Sequence, residues 1–183
     1  MVCGSWPQGN WGDTTVSYFA AAVVRDKDGW TADEIDLAGV ADVDEVAERL
    51  RDVNPDADVS LLFVESDDAY LVILRLDEGE DLRVFGSDSA FAEESRLGAL
   101  LIGDVDAPAL EIGAASQAGE DEGIAPDADI DPVGDADILA DLGISAQRLL
   151  SLVARDGMLP SDVTAEVCRV LGADEQVEEL REA

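Results

Sequence analysis

The stretch DVSLLFVESDDAYLVILRL, residues 58–76, decides the fold of this chain. It consists of two nearly continuous apolar runs, 58–66 and 69–76, with Asp67 and Asp68 between them. Apolar runs of this length are typical of strands, and a two-residue connection has the length of a tight hairpin. Because apolar residues occupy successive rather than alternate positions, we expect both strands to be covered on both faces, or on one face and an end.

Three further segments extend this hairpin into a sheet. Upstream, residues 17–25 form a third apolar run, and a turn ending at Gly29 separates it from the loosely alternating stretch 30–37. Downstream, residues 81–87 follow a turn centred on Gly79. Each segment is typical of a strand, and 30–37 is typical of an edge strand. The sequence therefore predicts a mostly antiparallel sheet of about five strands.

The first of two predicted helices lies between the second and third strands. Asp42 and Glu45 have the three-residue spacing of a capping box, with Asp in place of Ser or Thr. From Val43 to Val53, apolar residues recur at i, i+3, i+4, i+7 and i+10, which places them on one face of a helix. Pro55 ends the pattern. We expect this helix to pack on the sheet.

The second predicted helix covers residues 88–103, after the last strand. Ser87 or Asp88 is the expected N-cap, and Gly103 lies near the end of the helix. Gly98 inside a helix costs about 1 kcal/mol relative to alanine. Its presence therefore favours a close approach of this helix to the sheet or to another helix.

The predicted α+β domain occupies residues 17–103, and the composition changes on both sides of it. Residues 1–16 contain four glycines and prolines without periodicity, which predicts a disordered extension. Residues 104–134 hold nine acidic residues, no basic ones, three prolines and four glycines, which predicts a flexible acidic linker. Residues 135–183 contain three or four short helices separated by glycines, which predicts a small C-terminal helical subdomain docked on the sheet.

The charge balance excludes several classes of function. The chain has 43 acidic and 11 basic residues, a formal net charge of −32, and no histidine. So acidic a chain repels phosphate groups, which excludes direct binding to nucleic acids and to anionic membranes through a basic patch. Without histidine, neither a Ser-His-Asp triad nor an imidazole zinc site can form. A compositional bias of the whole proteome is an alternative cause of the acidity, so charge alone does not establish a partner.

No motif in the sequence indicates a catalytic, cofactor or metal site. The acidic stretch 127–137 resembles a calcium loop, but Pro132 and Ile138 occupy the positions of the EF-hand glycine and glutamate. Cys3 and Cys168 are far apart in the sequence, which predicts neither a disulfide nor a metal site. The sequence shows no nucleotide-phosphate loop, signal peptide or membrane-spanning run. We therefore expect a cytoplasmic protein without metal or cofactor, in which Cys168 is a small buried hydrophobe.

The few basic residues of the central region are informative. They are Arg75, Arg83 and Arg96. In so acidic a chain we expect each arginine to form a structural ion pair, because guanidinium groups bind carboxylates in a planar, bidentate geometry. Contact with a partner is the alternative role for these three side chains.

Two motifs carry a resemblance to a known family, namely ESRLGALLIG at 94–103 and GDADILADLG at 134–143. With the strands and helices around them, they resemble the actinobacterial family of tRNA adenosine deaminase-associated proteins over about residues 17–181. The resemblance implies an association with the deaminase and supplies no catalytic residues. The chain is not the deaminase, which needs an H-x-E motif and a P-C-x-x-C zinc motif, because it has neither.

Sequence and resemblance together predict a non-enzymatic accessory protein. We expect it to bind tRNA adenosine deaminase, or a similar basic RNA-binding protein, through its acidic surface and so to compete with RNA. The contact is assigned to residues of the two motifs and their surroundings: Arg96, Glu93, Asp135, Asp137 and Asp141. Two alternatives stay open, a small Mg²⁺-dependent enzyme that uses carboxylates and an acidic nucleic-acid mimic that inhibits another protein.

Overall fold

The computed structural model describes residues 18–66, 70–88, 95–102, 132–155 and 157–182. Its strands are β1 (Tyr18–Asp26), β2 (Gly29–Glu34), β3 (Val59–Ser66), β4 (Tyr70–Asp77), β5 (Asp81–Gly86) and β6 (Val133–Gly134). Its helices are α1 (Val43–Val53), α2 (Arg96–Ile102), a 3₁₀ helix (Ala136–Leu142), α3 (Ala146–Val153), α4 (Pro160–Leu171) and α5 (Asp174–Glu182). The strands form one sheet in the order β2-β1-β3-β4-β5-β6, with every neighbouring pair antiparallel. The predicted N-terminal extension and all but the last three residues of the predicted linker lie outside the described residues.

The β3–β4 pair at the centre of the sheet is the hairpin predicted from residues 58–76. Eight consecutive residue pairs align the two strands. Every residue of both strands is buried except Asp77, which is partly exposed. Of the two arrangements expected, the structure shows strands covered on both faces, whereas the turn predicted at Asp67 and Asp68 lies outside the described part of the chain.

Helix α1 begins as its sequence predicts. The Asp42 carboxylate accepts a hydrogen bond from the Glu45 N–H at 2.9 Å, and Glu45 Oε2 accepts one from the Ala41 N–H at 3.0 Å. The first bond satisfies an N–H of the first turn that has no partner within the helix. The second differs by one residue from a standard capping box, in which Glu45 would accept from the Asp42 N–H. One turn further on, Val46 and Leu50 are fully buried against the sheet.

Helices cover both faces of the sheet. On one face, α1 and α2 pack against a set of strand residues that includes Leu62 and Leu74. On the other face, the 3₁₀ helix and α3 to α5 pack against a set that includes Leu61, Phe63 and Ile73. Because successive side chains of a strand point to opposite faces, β3 and β4 contribute to both cores. The α+β class is confirmed, and the C-terminal helices form the third layer of a helix–sheet–helix sandwich.

Among the described residues the sheet has six strands rather than the expected five, because the C-terminal segment returns to its edge. Val133 and Gly134, at the end of the predicted linker, pair with Gly86 and Phe85 of β5. Gly134 has a φ of +91°, and a Cβ there would lie 2.2 Å from the Val84 carbonyl oxygen. Only glycine fits this approach, and a strand of two residues is too short to show periodicity in the sequence.

Helix α2 is described over the second half of the range predicted for it. Ser95 Oγ accepts a hydrogen bond from the Gly98 N–H at 2.8 Å and so caps the described helix. Ser87 is one of the two expected caps. Its Oγ instead accepts a hydrogen bond from the Leu71 N–H at 2.9 Å, so Ser87 extends the pairing of β5 with β4. Gly98 is buried, in agreement with the close packing expected of it. Residues 89–94 lie outside the described chain.

The C-terminal helices begin where their sequence indicates, but α3 ends at Val153, earlier than the end at Asp156 that Gly157 predicts. Ser145 Oγ caps α3 by accepting a hydrogen bond from the Arg148 N–H at 3.3 Å, and Pro160 is the first residue of α4. Gly143 and Gly172 adopt left-handed conformations directly after the 3₁₀ helix and α4, with φ values of 101° and 83°. The 3₁₀ geometry of the first segment differs from the ordinary helix expected there.

We expect the sheet and the C-terminal helices to unfold in one transition, because both cores share β3 and β4. Leu50→Ala in α1 and Leu149→Ala in α3 each truncate a fully buried side chain, and each lowers the free energy of unfolding by about 2–5 kcal/mol. Val170→Ala, at an exposed position of α4, changes it by less than about 0.5 kcal/mol. Urea unfolding followed by near- and far-UV circular dichroism measures both effects. Two separate transitions, of which Leu149→Ala shifts one, would contradict this expectation.

Candidate interaction surface

Most of the positive charge of the chain is engaged internally. Seven of the 11 basic residues contact a carboxylate, a backbone carbonyl or an aromatic ring: Arg25, Arg49, Arg51, Arg75, Arg83, Arg169 and Arg181. Arg51 and Arg169 are exposed in spite of these contacts, and the other four basic residues are exposed as well: Lys27, Arg96, Arg148 and Arg155. Because the chain has 43 acidic residues, an approaching molecule meets mostly carboxylates.

One ionic cluster joins the β4–β5 pair to the 3₁₀ helix. Arg75 and Arg83 lie directly opposite each other on neighbouring strands, and like charges in this arrangement are unfavourable by themselves. Three aspartates contact the two guanidinium groups: Asp77, Asp135 and Asp141. We call these five residues the arginine–aspartate cluster.

Arg75 is the buried centre of this cluster, with 4 % of its side chain exposed. Its Nη1 and Nη2 donate to the two carboxylate oxygens of Asp141 at 2.5 and 2.7 Å, and its Nε donates to Asp77 Oδ1 at 2.9 Å. Nη1 also donates to the Ile138 carbonyl oxygen at 2.7 Å, in the middle of the 3₁₀ helix. These bonds offset the cost of taking a guanidinium out of water.

Arg83 and Asp135 form the partly exposed side of the cluster. Arg83 Nη2 donates to Asp77 Oδ2 at 2.6 Å, and its Nη1 lies 3.7 Å from Asp135 Oδ2. Asp135 also caps the 3₁₀ helix, since its Oδ1 accepts a hydrogen bond from the Asp137 N–H at 2.9 Å. One carboxylate thus fixes both the start of this helix and its place on the sheet. The structural ion pairs expected for Arg75 and Arg83 are confirmed.

The arginines hold the neighbouring carboxylates in their charged form. Hydrogen bonds from Arg75 lower the pKa of Asp141 below its usual value of 3.8. Burial opposes the charge of Asp77, but hydrogen bonds from Arg75 and Arg83 outweigh it, so the pKa of Asp77 is also lowered. Conversely, the hydrogen bonds to Asp141 raise the pKa of Arg75. Arg75, Asp77 and Asp141 are therefore ionised at neutral pH.

A second ionic contact fastens α5 to the other end of the sheet. Glu65 of β3, with 8 % of its side chain exposed, accepts a hydrogen bond from Arg181 of α5. The Arg181 guanidinium lies 4.6 Å from the centre of the Phe19 ring, which is a cation–π contact. Sequence reasoning missed this contact because Glu65 and Arg181 are 116 positions apart, and no local pattern links them.

The structure separates the residues predicted to contact a partner. Asp135 and Asp141 belong to the arginine–aspartate cluster, whereas Asp137 of the same helix is exposed. Arg96 is exposed at the start of α2, on the opposite face of the sheet from the 3₁₀ helix. Glu93 lies outside the described residues. Asp137 and Arg96 are therefore not parts of one continuous patch.

A family model matches residues 18–174 of the chain, from the start of β1 to the first residue of α5, and it describes an Rv3753c-like tRNA adenosine deaminase-associated protein. The chain belongs to this family. The resemblance carried by the motifs at 94–103 and 134–143 is thereby confirmed. No curated protein and no solved structure matches the chain significantly.

Metal-binding groups and membrane-spanning helices are both missing from the part of this family member that the structure describes. No group of three or more Cys, Asp or Glu residues there is placed to hold a metal ion. None of the helices described is long and apolar enough to cross a membrane.

Cys168 is fully buried, and burial raises the pKa of its thiol to about 12. Its predicted role as a small buried hydrophobe is confirmed, and its thiol is unreactive at neutral pH.

We expect Asp141→Asn to destabilise the protein through the arginine–aspartate cluster. At pH 7 the substitution lowers the free energy of unfolding by about 1–2 kcal/mol, less than for a fully buried pair, because 57 % of the Asp141 side chain is exposed. The lowered pKa of Asp141 stabilises the folded state above its unfolded value of 3.8 and ceases to do so as the pH falls through the folded value. The difference between wild type and variant therefore shrinks below about pH 4.

Asp137→Asn is the matched control for this prediction, because it makes the same chemical change at an exposed position of the same helix. It changes the free energy of unfolding by less than about 0.5 kcal/mol. Urea unfolding of both variants between pH 3 and pH 7 gives the comparison. Equal losses in the two variants, or a loss in Asp141→Asn that does not depend on pH, would show that the cluster does not stabilise the fold in this way.

Proposed function

We propose that this protein is a non-enzymatic accessory protein in tRNA modification, which binds tRNA adenosine deaminase or a similar basic RNA-binding protein through its acidic surface. The observation that carries the proposal is membership of a family described as tRNA adenosine deaminase-associated. A protein that binds tRNA needs a basic surface to neutralise phosphate groups. A net charge of −32 makes this chain a complement to such a surface.

Internal pairing of the arginines supports an acidic contact surface. Because five of the 11 basic side chains pair with carboxylates within the fold, less positive charge is left to repel a basic partner. Asp137 is exposed on a helix that the arginine–aspartate cluster fixes to the sheet. A carboxylate on a rigid element loses little conformational freedom when it binds, which favours affinity.

Chemistry in such a pair belongs to the deaminase. Zinc-dependent deamination of a base needs histidine and cysteine ligands and a glutamate that transfers protons. This chain has no histidine and two widely separated cysteines, Cys3 and Cys168. The accessory protein therefore acts by occupying or orienting the basic surface of its partner. Because tRNA needs the same surface, the accessory protein and tRNA compete for it.

We expect this protein to form a complex with a tRNA adenosine deaminase from the same organism. Size-exclusion chromatography with light scattering shows the complex at low salt. The complex weakens at moderate salt, because screening reduces attraction between exposed charges beyond about 8–10 Å. Addition of tRNA displaces the accessory protein. Absence of a complex at every salt concentration would contradict the proposal.

A charge reversal tests the assignment of Asp137 to the contact. Asp137→Lys weakens the complex about threefold to tenfold, since it replaces an attraction by a repulsion at an exposed site. Asp52→Lys is the matched control, because it makes the same charge change at an exposed position of α1, on the opposite face of the sheet. Titration by fluorescence anisotropy measures both affinities. Equal weakening by the two variants would show that Asp137 has no special part in the contact.

The two alternative functions give different results in the same assays. A small Mg²⁺-dependent enzyme would be stabilised against heat by added Mg²⁺, since a ligand that binds the folded state raises its stability. A nucleic-acid mimic would bind unrelated DNA- or RNA-binding proteins as tightly as it binds the deaminase. Either result would replace the proposed function.

A further inference from the structure

The outer edge of strand β2 is unpaired among the described residues. β2 is the last strand on its side of the sheet and pairs with β1 over six consecutive residues. At the other side of the sheet, β6 covers the end of β5. Gly29–Glu34 thus offers a regular six-residue backbone edge that no described strand occupies.

The hydrogen-bonding groups on this edge can be assigned to individual residues. The Ile35 N–H donates to the Ala20 carbonyl oxygen of β1 at 3.0 Å. In an antiparallel ladder, the N–H and C=O groups of alternate residues point to the same neighbouring strand. Residues at even spacings from Ile35 therefore behave like it, so the backbone groups of Gly29, Thr31 and Asp33 point to β1. Those of Trp30, Ala32 and Glu34 therefore point outward.

This edge lacks most of the features that prevent strand addition. Free edges are usually protected by proline, by bulges, by charged side chains, lysine above all, or by a covering element. β2 contains no proline or lysine, and its register with β1 is continuous. Ala32, at the centre of the edge, is half-buried and packs against the core that the C-terminal helices share, so its side chain does not project toward a neighbouring strand. A second copy of this chain is a poor occupant, because a net charge of −32 on each copy opposes association.

Carboxylates border this edge. Asp33 and Glu34 are exposed at the end of β2, and Asp36 is exposed just beyond it. Helix α5 packs against β2, and four of its glutamates are exposed: Glu175, Glu178, Glu179 and Glu182. An extended segment beside β2 would lie close to these negative charges. Lysine and arginine side chains are therefore the ones that the edge favours.

We propose that the free edge of β2 binds an extended, lysine- or arginine-rich segment of a partner protein by strand addition. Backbone hydrogen bonds to Trp30, Ala32 and Glu34 supply affinity, and the surrounding carboxylates select a basic segment. The inference rests on the proposed function in that the partner is basic, and it adds the place and mode of contact. It applies to any partner that carries such a segment.

Hydrogen exchange in the presence of a peptide tests the proposal directly. The probe is a ten-residue peptide of alternating lysine and threonine, and its control is the same peptide with every backbone nitrogen methylated, which keeps the charge and removes the donors. Exchange measured by NMR is expected to slow at the amides of Trp30, Ala32 and Glu34 when the unmethylated peptide binds. Thr31 and Asp33 amides, already bonded to β1, are protected with and without it. Equal binding of both peptides, or no added protection at the three outward amides, overturns the proposal.

A pair of substitutions at Ala32 gives a second test. Ala32→Pro removes an outward N–H, and proline is tolerated at such positions of edge strands. It is expected to weaken peptide binding about tenfold, because neighbouring backbone bonds are lost together. Ala32→Thr keeps the N–H and is expected to bind like wild type. A melting curve checks that both variants fold, and the exchange experiment on wild type does not depend on either. Unchanged binding by folded Ala32→Pro overturns the proposal.

Two further results separate this inference from the proposed function. If the deaminase complex forms and Ala32→Pro leaves it intact, the accessory function stands and the β2 edge is not the contact. If the basic peptide adds to β2 but no deaminase complex forms, the edge site stands and the deaminase is not the partner. Dimers without peptide, with the three outward amides protected, would identify a second copy as the occupant and overturn the proposal.

Discussion

A buried guanidinium on a central strand is the constraint on which the third layer of this fold depends. Arg75 lies opposite Arg83 on the face of the sheet that the C-terminal helices cover. Two neighbouring cations at such a place are stable only if carboxylates and carbonyl oxygens surround them. Asp77 comes from the same strand, whereas Asp141 and the Ile138 carbonyl come from the 3₁₀ helix. A buried Arg75 in β4 is therefore stable only when the C-terminal segment packs on the sheet and supplies these oxygen atoms.

A second arginine contact of the same kind helps to fix the third layer. The third layer is held at one end by the arginine–aspartate cluster and at the other by the contact of Arg181 with Glu65 and Phe19. Arginine suits both places because its planar group donates several hydrogen bonds in fixed directions. In this way Arg75 is withdrawn from the surface, with 4 % of its side chain exposed, and Arg83 and Arg181 are partly covered, with 35 % and 31 % exposed. The same arginines thus stabilise the third layer and leave the surface more acidic.

Local features of the sequence were sufficient to predict most elements, and contacts between distant residues were not. Apolar runs located β3 and β4, and Asp42 located the start of α1, because these signals lie within a few residues of their effect. Such reasoning could not predict that Asp135 and Asp141 of the 134–143 motif contact arginines while Asp137 is exposed. Asp141 reaches Arg75 from the last turn of the 3₁₀ helix, whereas Asp135 reaches Arg83 from the extended cap before the helix. Both contacts join residues more than 50 positions apart in the sequence, and the sequence offers no sign of them.

Added salt has opposite effects on the stability of the free protein and on its affinity for a basic partner. Screening relieves repulsion among exposed carboxylates and so stabilises the free protein, whereas it weakens attraction to a basic partner. The buried Arg75 is much less sensitive, because screening by salt is weak inside a protein. If the acidity came only from a biased composition, salt would stabilise the free protein but there would be no partner binding for it to weaken. A protein whose carboxylates bind a partner shows both, so the ratio of the two salt dependences separates a selected charge from an inherited one.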